Sequence, residues 1–221
     1  GADIVVNSTS KYINANSSAI SGVITDGGKF KWDTEKYPGM KDFKKFGPFA
    51  YTAKLRNGLF RNTGACLSPQ NAFYNSIGME TLGLRMERVC DNAKTLAQFF
   101  ATEYSDIEVN YPGLAGSKWH NIATEQFGDK FGGIITIRTG NKKRAFGIID
   151  ALKLPLIVSN IGDTKTLVIH PESTLNVHST QEEKETAGVF DDLIRISVGI
   201  EDIDDLIDDF KQAIESVKDV Y

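Results

Sequence analysis

The sequence predicts an α/β protein in which helices cover a sheet. Short runs rich in Val and Ile alternate with longer segments whose apolar residues recur every three or four positions, the order typical of this class. The composition, 41% hydrophobic and 24% charged over 221 residues, is that of an ordinary globular chain. No apolar run approaches the roughly 18 residues that cross a bilayer, so we expect no membrane segment.

The first part of the chain predicts two strands, a surface excursion and a long helix. Segments 4–6 and 20–25 are β-branched and bounded by Asn, Ser and Gly, and we expect the first to be a buried strand. Periodicity is lost over 27–48, where many aromatic residues indicate a loop packed on another part of the protein or on a neighbouring subunit. One helix is then predicted from about residue 71 past residue 96. Its expected apolar positions are Phe73, Ile77, Leu84, Val89, Leu96 and Phe100.

Strands and helices alternate from there to the end of the chain. Strands are predicted at 107–111, 133–138, 167–169 and 193–198, and helices at 119–126, 142–152, 182–186 and 203–217. The last helix has one apolar face and acidic residues near its N-terminus, which suits the helix dipole. Such a helix must bury its apolar face, so we expect it to cover the sheet.

Charge and spacing exclude several classes of function. With a net charge of -4, a pI near 5.5 and scattered Lys and Arg, the chain has no electrostatic footprint for nucleic acid. His120, His170 and His178 lack metal-ligand spacing, so no metal is expected. No strand is followed by G-x-G-x-x-G, which argues against a dinucleotide fold.

A lysine with two nearby serines follows the first predicted strand, in Ser8-Thr9-Ser10-Lys11. Pyridoxal phosphate chemistry needs an amine that bonds to the cofactor and hydroxyls that hold its phosphate. In an extended segment Ser8 and Ser10 would point to one side, and Lys11 to the other unless the chain turns there. So short a motif is, by itself, more often a surface lysine in a turn.

Arg195 lies in a segment, Leu193 to Val198, whose other residues predict a buried strand. A buried guanidinium needs a partner, because an unpaired charge is costly there. The strand pattern alone favours an internal Asp or Glu, and the alternative is a substrate carboxylate held bidentately. Asn160, in a polar turn before another strand, could add amide donors to the same group.

The ordered series of motifs resembles the Cys/Met-metabolism family of pyridoxal-phosphate enzymes. Segment 1–12 resembles the family's cofactor-lysine segment. Further segments resemble its O-acetylhomoserine sulfhydrylase branch, namely 64–69, 78–82, 84–88, 110–114, 169–171 and 193–201. The resemblance covers essentially the whole chain and implies the C-terminal half of a fold-type I, aspartate aminotransferase-like enzyme. Residues 1–92 would then complete the large cofactor domain, and 93–221 would form the small α/β domain.

The resemblance also implies roles for individual residues. Lys11 would bond covalently to pyridoxal phosphate and act as acid and base, and Ser8 and Ser10 would bind the phosphate. Arg195 would hold the substrate carboxylate, helped by Asn160. The chain differs from the family's common pattern by Asn7 in place of His and Ser10 in place of Thr, and by Leu175-Asn176 in place of Thr-His, which leaves substrate contacts there less defined.

The implied reaction of the parent protein is γ-replacement. O-acetylhomoserine and sulfide or a thiol would give homocysteine or methionine and acetate, in a cytoplasmic homodimer or homotetramer. The alternatives are methionine γ-lyase, cystathionine synthase or lyase activity, or a noncatalytic half of a split or truncated enzyme. In the family, the preceding half carries the Asp that pairs with the pyridine nitrogen, so we expect this chain alone to be inactive.

Overall fold

The computed structural model describes residues 1–218. These residues belong to two compact units, Gly1–Ile77 and a second unit that starts at Gly78. The expected division after residue 92 stays a prediction about domain function. It would fall within a helix that contributes to the core of the second unit.

In the first unit, β1 (Ile4–Asn7) and β2 (Val23–Asp26) form an antiparallel pair with Ile4 opposite Asp26. The position of β1 is confirmed, but the expectation that it is buried is wrong. Val5 is 40% and Val6 69% exposed. Within residues 1–218 the sheet has only these two strands, and a two-stranded ribbon leaves much of both faces in solvent.

The segment between β2 and the helices is irregular, as expected, and packs on itself. It includes a 3₁₀ stretch (Pro38–Phe49), α1 (Ala50–Leu55), a π-helical turn (Arg56–Phe60) and α2 (Arg61–Thr63). The ring of Trp32 stacks on Tyr51 with centroids 5.8 Å apart, and Phe30 meets Trp32 edge-on at 4.7 Å. These aromatic residues therefore have packing partners within the first unit.

The predicted single long helix is two helices, α3 (Pro69–Glu80) and α4 (Leu82–Glu103). The chain leaves helical geometry at Thr81, where φ is -107° and ψ is 4°. The side chain of Arg85 stabilises this break. Its Nη2 donates to the carbonyl oxygen of Gly78, and its Nε donates to Thr81 Oγ1. A carbonyl near the end of α3 thus finds a donor outside the helical series.

Burial of the expected apolar helix positions changes within α4, between Leu84 and Val89. Phe73, Ile77 and Leu84 are 61%, 48% and 73% exposed, so helical spacing of apolar residues does not correspond to burial at these positions. The later positions, Val89, Leu96 and Phe100, are buried.

In its described part, residues 78–218, the second unit contains a five-stranded sheet. Its strands are β3 (Glu108–Asn110), β4 (Ile134–Arg138), β5 (Leu156–Ile157), β6 (Leu167–Ile169) and β7 (Leu193–Ser197), in the order β3-β4-β7-β6-β5. Only β5 and β6 are parallel. The connecting helices are α5 (His120–Phe127), α6 (Lys142–Ala151), α7 (Gln181–Thr186) and α8 (Ile203–Ser216). These four helices and the strands β3, β4, β6 and β7 begin and end within about two residues of their predicted bounds, whereas β5 was not predicted.

One face of this sheet carries the core. Ile135, Ile137, Ile194 and Ile196 on adjacent strands have no exposed surface, and Phe100 of α4 meets Phe210 of α8 edge-on at 5.2 Å above them. Residues two apart on a strand share a face, so the alternate positions of β4 and β7 point to the other side. That second face carries the polar side chains of the candidate site.

A cluster of one carboxylate and two lysines joins α6, α7 and the segment between β6 and α7. The carboxylate of Glu172 accepts from Lys142 Nζ at 2.8 Å and from Lys184 Nζ at 2.6 Å. The hydrogen bond from Lys142, followed by that from Lys184, lowers the pKa of Glu172 from 4.5 to about 2. The ionised carboxylate is therefore the form that the folded protein favours.

We expect Glu172→Gln to lower the free energy of unfolding at pH 7 by about 1 to 2 kcal/mol, a value reduced for the partial exposure of Lys142. Because the pKa is lowered on folding, this contribution is complete above the unfolded pKa of about 4.5 and is lost as the pH falls toward 2. Urea unfolding at pH 7 and pH 3 measures it. Glu182→Gln on the exposed side of α7 is the control, and an equal effect of Glu172→Gln at both pH values would contradict the prediction.

Candidate functional site

The candidate cofactor residues lie in a turn that directly follows β1. The Lys11 amide donates to the carbonyl oxygen of Ser8 at 3.4 Å, and the Asn14 amide donates to the carbonyl oxygen of Lys11 at 3.0 Å. The backbone is therefore not extended through Ser10 and Lys11. This removes the geometric objection that an extended segment would separate the lysine from both serines. Lys11 is half-buried and Ser8 is exposed.

Hydroxyl and amide side chains anchor this turn to the rest of the first unit. Thr9 Oγ1 donates to Ser21 Oγ at 2.7 Å, and Ser21 Oγ accepts from Asn75 Nδ2 of α3 at 2.9 Å. Ser10 Oγ accepts from the Ser21 amide at 2.8 Å and donates to the Ser21 carbonyl at 3.2 Å. Sequence reasoning missed Thr9, Ser21 and Asn75, because their roles depend on contacts between segments far apart in the chain.

The candidate substrate residues meet in the second unit. Arg195 lies in the middle of β7, and its Nη2 donates to the carbonyl oxygens of Ser159 and Asn160 at 2.9 and 3.0 Å. Asn160 thus reaches Arg195 through its backbone. The carbonyl of Ser159 is a contact that the sequence did not indicate. Together the two carbonyls fix one end of the guanidinium on the sheet face opposite the core.

The segment that supplies these carbonyls is itself held to β7 and to the chain beyond it. The Gly162 amide donates to Ser197 Oγ at 3.0 Å, and the Ile200 amide donates to the Thr164 carbonyl at 2.9 Å. Gly162 has φ +74°, a conformation that favours glycine. The predicted polar turn before β6 is therefore an ordered segment with a fixed path beside Arg195.

A cavity of about 840 Å³ lies over the neighbouring part of the same sheet face. Thr136 of β4, which pairs with Arg195 in the sheet, is in its lining, together with Arg138, Trp119 and Phe190. Arg138 donates to the buried Asp192 carboxylate at 2.9 Å, and this hydrogen bond raises the pKa of Arg138. The cavity therefore lies on the same sheet face as the candidate carboxylate-binding residue, and its lining combines polar and apolar side chains.

The five residues predicted to form the site fall into two groups. Ser8, Ser10 and Lys11 share the turn of the first unit, and Asn160 and Arg195 are in contact in the second. Within residues 1–218 no group of three or more His, Cys, Asp or Glu side chains is placed to hold a metal ion. None of the helices described is both long and apolar enough to cross a membrane.

A solved structure shares this fold. It is a crystal structure from Campylobacter jejuni of a putative O-acetylhomoserine (thiol)-lyase, with N'-pyridoxyl-lysine-5'-monophosphate at its position 205. It matches 97% of this chain with a TM-score of 0.89 and 33% sequence identity, and the match covers 54% of the Campylobacter chain. The fold therefore defines the chain as part of a fold-type I pyridoxal-phosphate enzyme.

The sequence comparison identifies the family. The model of the Cys/Met metabolism PLP-dependent enzymes matches residues 1–215, and the chain belongs to this family. It is 38% identical to sulfhydrylase FUB7 of Fusarium oxysporum f. sp. lycopersici, over 97% of this chain and 53% of that protein. It is 39% identical to homocysteine synthase of Schizosaccharomyces pombe and 38% to O-acetyl-L-homoserine sulfhydrylase of Corynebacterium glutamicum, with 97% and 98% of this chain covered and 53% of each relative. The chain thus spans about half the length of the curated relatives it matches, and the predicted family and fold are confirmed.

The side chains of the turn fit the cofactor of this family in their chemistry. Lys11 offers an amine that can react with the cofactor aldehyde. Ser8 and Ser10, in the same turn, offer hydroxyl groups that can bind the cofactor phosphate. Ser8 is exposed to an incoming anion. Ser10 keeps its bond from the Ser21 amide while its own hydrogen, directed at the Ser21 carbonyl across 3.2 Å, can be redirected to a phosphate oxygen. The roles of these residues stay a prediction.

Proposed function

We propose that the protein to which this chain belongs is a pyridoxal-phosphate-dependent transferase that replaces the acetate of O-acetylhomoserine by sulfide or a thiol. The observation that carries the proposal is the continuous match, over 97% to 98% of the chain, to relatives named sulfhydrylase, homocysteine synthase and O-acetyl-L-homoserine sulfhydrylase. The ordered turn with Ser8, Ser10 and Lys11, together with Arg195 on β7, supplies some of the residues that such a reaction needs.

Lys11 has two tasks in this proposal. Its amine bonds to the cofactor, and after release by substrate it takes the proton from the substrate α-carbon and moves a proton at the β-carbon. The bound cofactor supplies an electron sink for the negative charge that develops on the substrate. Ser8 and Ser10 bind the phosphate by hydrogen bonds and thereby fix the position of the reacting atoms relative to Lys11.

Arg195 binds and orients the substrate. Its guanidinium is planar, always charged and suited to a carboxylate, and its Nη2 is already fixed by the carbonyls of Ser159 and Asn160. A carboxylate bound by this guanidinium would hold the amino acid in one orientation. The cavity over the neighbouring part of the same sheet face, with Thr136 and Arg138 in its lining, supports access for a small, charged substrate.

The test is an assay of the full-length protein with pyridoxal phosphate. Sulfide-dependent or thiol-dependent release of acetate from O-acetylhomoserine, with formation of homocysteine or methionine, is the expected result. Formation of 2-oxobutyrate and ammonia from methionine instead would assign a γ-lyase. Formation of cystathionine with cysteine as donor would assign a cystathionine synthase, and cleavage of cystathionine would assign the lyase.

The assembly, location and activity of the isolated chain are part of the proposal. We propose a cytoplasmic homodimer or homotetramer for the full-length protein, from the resemblance to the family. We expect residues 1–221 alone to be inactive, because in the family the partner of the pyridine nitrogen lies in the other half of the enzyme. Turnover of O-acetylhomoserine by the isolated chain with added pyridoxal phosphate would contradict this expectation. It would also contradict the alternative that the chain is a noncatalytic half of a split or truncated enzyme.

A further inference from the structure

Ser197 is two residues after Arg195 on β7, so both side chains belong to the same face of the sheet. Ser197 is 1% exposed, and its Oγ accepts from the amide of Gly162 at 3.0 Å in a buried hydrogen bond. Gly162 follows Asn160 by two residues. One short segment, 159–162, therefore touches both side chains: its carbonyls accept from Arg195, and its last amide donates to Ser197.

This arrangement makes the position of the guanidinium depend on the serine. The Arg195 Nη2 bonds of 2.9 and 3.0 Å go to main-chain carbonyls, whose place is set by the path of the segment. At its other end the segment is secured by the Gly162 amide. Since Gly162 is buried, loss of its acceptor would leave an unsatisfied buried N–H, a costly state that favours displacement of the segment. The carbonyls of Ser159 and Asn160 would move with it.

We propose that Ser197 is a positioning residue for substrate binding: through the Gly162 amide it holds segment 159–162, whose carbonyls orient Arg195 toward the substrate carboxylate. The inference rests on the proposed role of Arg195 and adds a residue that contacts neither substrate nor cofactor. Loss of the Ser197 hydroxyl would weaken binding of the amino-acid substrate equally in the ground state and in the transition state. The Michaelis constant is therefore the quantity that changes most.

Steady-state kinetics of the full-length enzyme with O-acetylhomoserine tests the effect on binding. Ser197→Ala removes the acceptor, and we expect KM to rise about tenfold, the equivalent of one hydrogen bond, with kcat changed less than threefold. Ser197→Thr keeps the hydroxyl and is expected to restore KM to within threefold of the original. Ser216→Ala is the matched control, since it removes a serine hydroxyl bonded to Ala213 on α8, away from segment 159–162. An unchanged KM in Ser197→Ala, or one raised equally by Ser216→Ala, would overturn the proposal.

A second measurement tests the link independently of activity. In NMR spectra we expect Ser197→Ala, but not Ser216→Ala, to accelerate hydrogen exchange of the Gly162 amide about tenfold and to shift the Arg195 guanidinium signals. If Ser197→Ala does not fold, Ser197→Cys, with a weaker acceptor of similar volume, gives the same comparison. Faster exchange at Gly162 with unshifted Arg195 signals would overturn the positioning role. An enzyme that does not consume O-acetylhomoserine would refute the proposed function, while the Arg195 signals would still decide whether Ser197 orients it.

Discussion

Replacing Lys11 by alanine in the full-length protein is expected to lower the rate of O-acetylhomoserine consumption by about 10³-fold or more. A positioned acid and base contributes about 10²- to 10⁴-fold by itself, and this lysine is also the proposed point of covalent attachment. Lys11 is half-buried in a turn that hydrogen bonds fix on both sides. The loss is therefore expected without a large change in fold.

Chemical trapping separates this role from general damage. Reduction of the loaded protein with borohydride, followed by digestion and mass spectrometry, should find the pyridoxyl group on the peptide that contains Lys11. The Lys11→Ala protein should carry none. Lys29→Ala, an exposed lysine of the same unit, is the matched control and should keep both the label and the activity. A pyridoxyl group on another lysine of the unaltered protein, or Lys11→Ala activity within tenfold of the original, would refute the assignment.

The sequence predicted best those elements whose pattern reflects burial in one unit. In β4, β7 and α8, apolar residues at the strand or helix period face a common core, and their bounds agree closely with prediction. The sequence was a poor guide where apolar residues recur with helical spacing but are not buried. Phe73 and Leu84 have helical spacing but are exposed, and the break at Thr81 depends on Arg85, a side chain four residues further on.

In the candidate site, the sequence indicated the chemistry of the residues but not their geometry. The residue types of Ser8, Ser10 and Lys11 indicated a cofactor, but the turn that they share is formed by main-chain hydrogen bonds. For Arg195 the sequence pattern predicted a charged partner, an internal acid or a substrate. The structure shows that main-chain carbonyls of a segment more than 30 residues away also hold it. Such contacts leave no periodic or compositional signal.

Gly199→Ala should produce the largest loss of stability among simple substitutions near the site. Gly199 lies two residues after the end of β7, where the chain passes very close to the segment before β6. A β-carbon at this position would lie 2.5 Å from the Thr164 carbonyl oxygen and 2.6 Å from the carbonyl carbon of Lys165. Both are main-chain atoms, so relief requires displacement of a whole segment. It would also lie 2.5 Å from a carboxylate oxygen of Glu201.

The displaced segment belongs to a buried polar network. The Gly199 amide donates to Thr166 Oγ1 at 3.0 Å, Thr166 Oγ1 donates to Glu201 at 2.8 Å, and Asn92 of α4 donates to the Gly199 carbonyl at 3.1 Å. Steric overlap of this kind costs about 1 to 3 kcal/mol, and loss of satisfied buried partners adds to it. We therefore expect Gly199→Ala to lower the free energy of unfolding by about 3 kcal/mol or more.

Thermal and urea unfolding of the protein measure this change, for which about 3 kcal/mol corresponds to roughly 6 to 12 °C in Tm. Gly83→Ala is the control, and we expect it to raise the free energy of unfolding instead of lowering it. Gly83 lies in α4, a β-carbon there meets no atom within 4 Å, and alanine in a helix is favoured over glycine by up to about 1 kcal/mol. Equal stability of Gly199→Ala and the unaltered protein would mean that the close approach of the two segments is not present in solution. The same result would weaken the case for a fixed segment beside Arg195, since residues 159–166 follow one continuous path along β7.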